Sequence, residues 1–190
     1  SVECVARAVQ VKPDGMELFE HPFCVLVGDG AFERVSDKGV EQLARYLAYG
    51  GFLVIDDATG ADDSAFDASV RRLVQRVFPT RPLSPLPADH SLYRSFFLID
   101  KPVGRVDRFS YMEGITVGNV SPLVYCRNDL SGALDRGDDG RHANACVPGG
   151  ERQRREGIKL GLNLVMYSLT ANYKRDQAHV RELMREGRLE

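Results

Sequence analysis

Three short runs of this sequence are apolar from end to end, and each breaks off into glycine, acidic or amide residues. Residues 23–27 (Phe-Cys-Val-Leu-Val) lead into Gly28-Asp29-Gly30, residues 52–55 (Phe-Leu-Val-Ile) into Asp56-Asp57, and residues 123–126 (Leu-Val-Tyr-Cys) into Arg127-Asn128-Asp129. Four or five apolar residues without alternation mark a strand covered on both faces, as in the middle of a parallel sheet. The polar residues that follow such strands then gather at the carboxyl edge of the sheet, where ligands of open α/β folds bind.

The segments between the runs supply the helices such a sheet needs. Ser36 caps a helix in which Val40, Leu43, Ala44 and Leu47 recur at helical spacing, and Gly50-Gly51 stops it. Ser64-Ala-Phe-Asp67 resembles a capping box ahead of Phe66, Val70, Leu73, Val74 and Val77, and Pro79 ends that helix. Ile158, Leu162, Val165, Met166, Leu169 and Tyr173 follow helical spacing, while Leu160, Leu164 and Tyr167 widen the arc, which predicts a deeply buried helix. Gly157 and Gly161 would let that helix approach the sheet closely. Strands alternating with helices predict a three-layer, flavodoxin-like α/β domain: one largely parallel sheet with helices on both faces.

Weaker signals fill in the rest. Residues 2–11 alternate loosely and read as a first strand; the four prolines of residues 79–87 allow only a short edge strand near Leu83. Asp89 opens a short helix through Phe96, and Val117-Gly118-Asn119-Val120 reads as a turn between strands. Residues 130–150, rich in Gly, Asp and Arg, read as a long surface excursion. Arg152, Arg154 and Arg155 read as a solvated face, and residues 176–190 as a charged surface helix docked through Val180, Leu183 and Met184.

Charge and length exclude some classes. With 25 basic and 27 acidic residues the net charge is -2, so there is no general attraction for nucleic acid. The most apolar stretch, residues 160–170, is about half a bilayer span, so no transmembrane segment is expected. Cys4, Cys24, Cys126 and Cys146 form no Cys-x-x-Cys pair, which argues against zinc and thioredoxin-like chemistry, and no cofactor motif is present.

The blocks Glu17-Leu-Phe-Glu-His-Pro-Phe23, Leu43 to Asp57, Leu86-Pro-Ala-Asp-His-Ser-Leu-Tyr-Arg-Ser-Phe-Phe97, Tyr125-Cys-Arg-Asn-Asp-Leu130 and Gly161 to Thr170 resemble, in their order and spacing, the bacterial family catalogued as domain of unknown function 4159. The resemblance implies a class I glutamine amidotransferase-like fold. It further implies an additional strand and helix ahead of this sequence and an exported, cell-envelope origin. A glutaminase of that fold needs a nucleophilic Cys on a tight strand-to-helix turn beside a His. None of the four cysteines has that setting, so a non-amidotransferase is expected.

Three functional readings follow. The leading one is a non-catalytic domain that binds a small ligand or a partner protein at the carboxyl edge through Gly28, Asp29, Asp56, Asp57, Arg127, Asn128 and Asp129. A second is a hydrolase or carbohydrate-related enzyme using Asp56 or Asp57 with His90 as acid or base. A third is a structural module of a cell-envelope assembly, docked through the surface around Tyr93, Phe96 and Phe97.

Overall fold

A computed structural model describes residues 8–185, with side chains described through residue 170. The elements run β1 (Phe23–Gly28), α1 (Asp37–Ala48), β2 (Phe52–Asp57), α2 (Ala65–Val77), β3 (Ser84–Pro85), β4 (Glu113–Val117), β5 (Val120–Cys126), α3 (Leu130–Leu134) and α4 (Gly150–Arg185), with 3-10 turns at Met16–Glu20 and Ser91–Arg94. All three apolar runs are strands. The two anticipated serine caps form: Ser36 Oγ accepts from Gly39 N at 3.0 Å and Ser64 Oγ from Asp67 N at 2.8 Å. Each satisfies an N–H that the first turn of a helix leaves free.

The strands lie side by side in one open sheet, in the order β1-β2-β5-β4-β3. β1, β2 and β5 are parallel, whereas β4 is antiparallel to both β5 and β3. The expected largely parallel sheet is therefore mixed. The cause is local: Gly118 takes a positive φ of 61°, so residues 118 and 119 close a hairpin where a helical crossover would have been needed to keep β4 parallel.

α1 and α2 cover one face, packing Leu43, Leu47, Phe66, Val70 and Val74 on Leu53, Ile55, Leu123 and Tyr125. α4 covers the other, setting Leu160, Leu164 and Tyr167 on Phe52, Val54, Val124 and Cys126. Each fully buried large side chain here contributes roughly 1.5–3 kcal/mol. β2 is buried along its whole length. β1 is not buried on both faces as its composition suggests: among the described residues it is one of the two edge strands, and Val25 and Val27 are 52% and 46% exposed on the α4 side.

Several expectations are corrected. Of the strand expected over residues 2–11, residues 2–7 lie outside the described residues, as does Cys4, and residues 8–11 belong to no strand. The helix expected from Asp89 to Phe96 shrinks to the 3-10 turn Ser91–Arg94, capped by His90. Residues 130–150 are no mere surface excursion, since they include α3 and bury Leu130, Ala133 and Cys146. Arg154 is not solvated: it is almost wholly buried, donating to Ala133 O and Asn144 O and pairing with Glu151. α4 starts at Gly150 and is one helix through Arg185; the side chains of Tyr173, Val180, Leu183 and Met184 lie outside the description. No helix among the described residues is long and apolar enough to cross a membrane.

Candidate functional site

The chain leaves the carboxyl ends of β2 and β5 toward opposite faces of the sheet. After β2 it passes to α2 on one face, and after β5 to α3 and α4 on the other. Two neighbouring strands whose connections diverge leave a crevice between their ends. Asp56 and Asp57 stand at this crevice, and because successive strand residues alternate they point to opposite sides of the sheet.

Asp56 turns toward α3. Its carboxylate accepts the backbone N–H groups of Leu130 at 2.9 Å and Ser131 at 2.7 Å, and the Ser131 hydroxyl at 2.5 Å. Burial nonetheless pushes its pKa up, against the pull of those donors. Asp57 turns toward α2, accepting Thr59 N at 2.9 Å, Thr59 Oγ1 at 2.6 Å, Ser64 Oγ at 2.5 Å and the Tyr125 hydroxyl at 3.3 Å. One aspartate fixes the turn after β5, the other the turn after β2.

Asn128 and Asp129 complete the turn after β5. Asn128 Oδ1 accepts from Arg108 N and Phe109 N, both at 3.0 Å, while its Nδ2 donates to Pro102 O and Phe109 O. Asp129 sits in the left-handed region (φ 53°, ψ 65°), which Asp tolerates better than most residues. It caps α3 through Gly132 N at 2.8 Å and forms a short ion pair with Arg105 Nε. Gly104 and Gly132 make this conformation possible: a side chain on Gly104 would collide with the Asn128–Asp129 backbone, and one on Gly132 with the Asp129 carboxylate.

Arg127 lies over the Phe109 ring, 4.1 Å from its centroid, and donates to Asp62 O on the α2 side. Gly28 adjoins the same rim through Ala58 N, which donates to Gly28 O at 2.9 Å, and Asp29 follows it, exposed. The seven rim residues thus share the carboxyl edge. Asp56, Asp57, Asn128 and Asp129 spend their polar atoms largely on the chain itself.

Between the α3 turn and the loop before α4 lies an open cavity of about 390 Å³ lined by Ala58, Arg105, Asp129, Ser131, Gly132, Asp135 and Asn144. Arg105 is held at both ends of its backbone, donating to Asp129 O and accepting from Val147 N and Gln153 Nε2. Its guanidinium remains partly exposed at the cavity wall. Arg105, Ser131, Asp135 and Asn144 were not singled out by sequence reasoning. They come from segments without periodicity; the one available signal was Asp129-x-x-Gly132, a capping spacing that starts a helix.

His90 is elsewhere. It meets Ser121 Oγ at 3.0 Å, near the start of β5, whereas Asp56 is in register with Cys126 at its end, so about 16 Å of strand separates them at roughly 3.3 Å per residue. Its Nδ1 also accepts the Leu92 N–H at 3.2 Å, so in the neutral ring the proton sits on Nε2, which donates to Ser121. A ring arranged this way takes no proton from Ser121, and burial holds its pKa below the usual histidine value. The structure brings Asp56 and Asp57 together with Asn128 and Asp129, and not with His90.

The described cysteines lack the setting of a thiolate nucleophile. Cys126 is fully buried, and burial together with the neighbouring Asp56 pushes its thiol well up; burial also raises Cys24 and Cys146. Among the described residues no three His, Cys, Asp or Glu side chains are grouped so as to hold a metal ion.

A model of the family described as domain of unknown function (DUF4159) matches residues 1–169. Among curated proteins, none matches the chain.

Proposed function

The chain belongs to the DUF4159 family, and within it we propose a ligand-binding domain of amidotransferase-like ancestry that works at the crevice between β2 and β5 without a nucleophile of its own. The observation that carries this reading is the division of labour at the rim. Asp56, Asp57 and Asn128 are consumed in shaping the turns, and the shaped turns leave a polar cavity whose wall groups, Arg105, Ser131, Asp135 and Asn144, retain hydrogen-bonding capacity. A few fixed polar groups around a concavity are what orient a small molecule in its site. In this reading Asp129 reaches the cavity directly and Asp56, Asp57 and Asn128 build it, while Gly28, against Phe66, and Arg127, bonded to Asp62 O, carry the rim with Asp29 beyond it.

The test is an amide-shift titration of the whole chain with a panel of small polar compounds: sugars, amino acids and short carboxylates. The expected result is at least one compound that shifts the Ala58, Arg105 and Gly132 amides together and loses most of its affinity in the Ser131→Ala/Asn144→Ala double variant. Compounds that bind only at other surfaces, or bind the variant equally well, would overturn the assignment.

A further inference from the structure

The side chains around the cavity beside α3 have hydrogen-bonding capacity of both kinds left over. Arg105 donates through Nε to Asp129 and through Nη2 to Thr59 O at 3.4 Å, and its Nη1 has no partner among the described residues. The Asn144 amide is oriented by its Nδ2, which donates to Gly132 O at 3.2 Å; a carbonyl only accepts, so Oδ1 and one N–H are left. The Ser131 hydroxyl gives its hydrogen to Asp56 and keeps its lone pairs. Asp135 is exposed, and its carboxylate has no hydrogen bond or ion pair among the described residues.

Charge narrows what can sit there. The cavity holds two carboxylates, Asp129 and Asp135, against one guanidinium, and that guanidinium is already paired with Asp129. A ligand anion, or the carboxylate of a zwitterion, reaches Arg105 only alongside Asp129, where like charges repel. A bare ammonium suits the acceptors but gives nothing to the N–H groups of Arg105 and Asn144, and its attraction to the exposed Asp135 is screened by water and salt.

We propose that the ligand of this cavity is a neutral polyhydroxyl compound, a sugar or similar polyol; the proposal rests on the cavity being the binding site. One hydroxyl both donates and accepts, so adjacent hydroxyls answer Asp135 and Arg105, or the two ends of the Asn144 amide, without bringing a charge. At about 390 Å³ the cavity lies near the lower end of the ~300–1,000 Å³ of small-molecule sites, which suits one small molecule better than a chain. None of its lining residues is aromatic, so hydrogen bonds carry the affinity and the loss of one is measurable.

Amide-shift titration of the whole chain tests this with glucose, mannitol and inositol as polyols, succinate and inorganic phosphate as anions, glycine as zwitterion and propylamine as cation. The expected result is that at least one polyol moves the Ala58, Arg105 and Gly132 amides together and saturably, while the charged compounds leave them in place. Asp135→Asn, which alters an exposed side chain that bonds to nothing in the described fold, is expected to weaken that polyol about tenfold, the worth of about one hydrogen bond to a charged group, with the thermal melt unchanged. An anion, zwitterion or amine that moves those amides as strongly as any polyol overturns the polyol assignment and leaves the site standing. So does polyol binding that Asp135→Asn leaves as tight as before. If none of the compounds moves those amides, the assignment and the site fall together.

Discussion

The two ends of the sheet both bury polar side chains, but they use them differently. At the amino end, His90, Ser121 and Thr116 bond to one another in a side-chain chain, with Tyr167 from α4 accepting the Ser121 N–H at 2.8 Å. That arrangement ties a helix to a hairpin and leaves little over. At the carboxyl end, Asp56, Asp57, Asn128 and Asp129 bond chiefly to the backbone of loops. Side chains that hold loops rather than one another fix the walls of the crevice at the carboxyl end, whereas the amino-end chain fastens α4 to the hairpin beside an open hollow of about 370 Å³ lined by Asp89, Ser91, Arg94, Asn119 and Tyr167.

The contrast can be broken most forcefully at Asn128. Asn128→Ala leaves two partly buried N–H groups and two carbonyls without their partner, and at about 0.8–1 kcal/mol for each the loss is about 3–4 kcal/mol of stability, measured by urea unfolding. Asp56→Ala comes next, at about 3 kcal/mol, because the Leu130 and Ser131 N–H groups and the Ser131 hydroxyl lose their acceptor. Asp56→Asn, which keeps one acceptor oxygen, should cost less. It also sharpens the contrast through pH. The folded pKa of Asp56 lies above its unfolded value, so its contribution is fully present below the unfolded pKa and falls as pH rises through the folded one. Unfolding curves between pH 4 and 7 should show that decline in the parent and lack it in Asp56→Asn.

The amino end gives the smallest effect and the opposite sign. Burial lowers the pKa of His90, so its contribution is present above the unfolded value of about 6.5 and fades as pH falls toward the folded pKa. His90→Gln should cost about 1 kcal/mol at pH 7.5 and less at pH 5.5, by the same unfolding measurement. Equal losses at both pH values would mean that the ring's protonation does not matter to the fastening.

What was legible in the sequence was what local chemistry decides. Ser36 and Ser64 cap their helices because the capping bond closes within three residues, and Gly118-Asn119 turns the β4–β5 hairpin because a positive φ is a property of the turn itself. What was not legible was decided by neighbours distant in the chain. An apolar run identifies β1 as a strand but not as an edge, since that depends on which strands lie beside it. The apolar arc of α4 identifies a helix but not which side meets the sheet. Arg154 reads as a solvated charge until the carbonyls of Ala133 and Asn144 are folded against it. At the rim, the trailing acids and amides came together as the apolar runs imply. Arg105 and Ser131, which pair with them, and Asn144 across the cavity come from segments that carry no apolar period to read.

Gly104 and Asn128 together make two stretches of chain mechanically one. The backbone of the turn after β5 rests directly on Gly104, and the Asn128 amide grips the chain at Pro102, Arg108 and Phe109. Displacing Asp129 therefore drags the 102–109 segment with it, and that segment carries both Arg105 at the cavity and Phe109 beneath the Arg127 guanidinium. The two sides of the rim are thereby joined outside the sheet as well as through it, by the Asn128 amide and the close approach at Gly104.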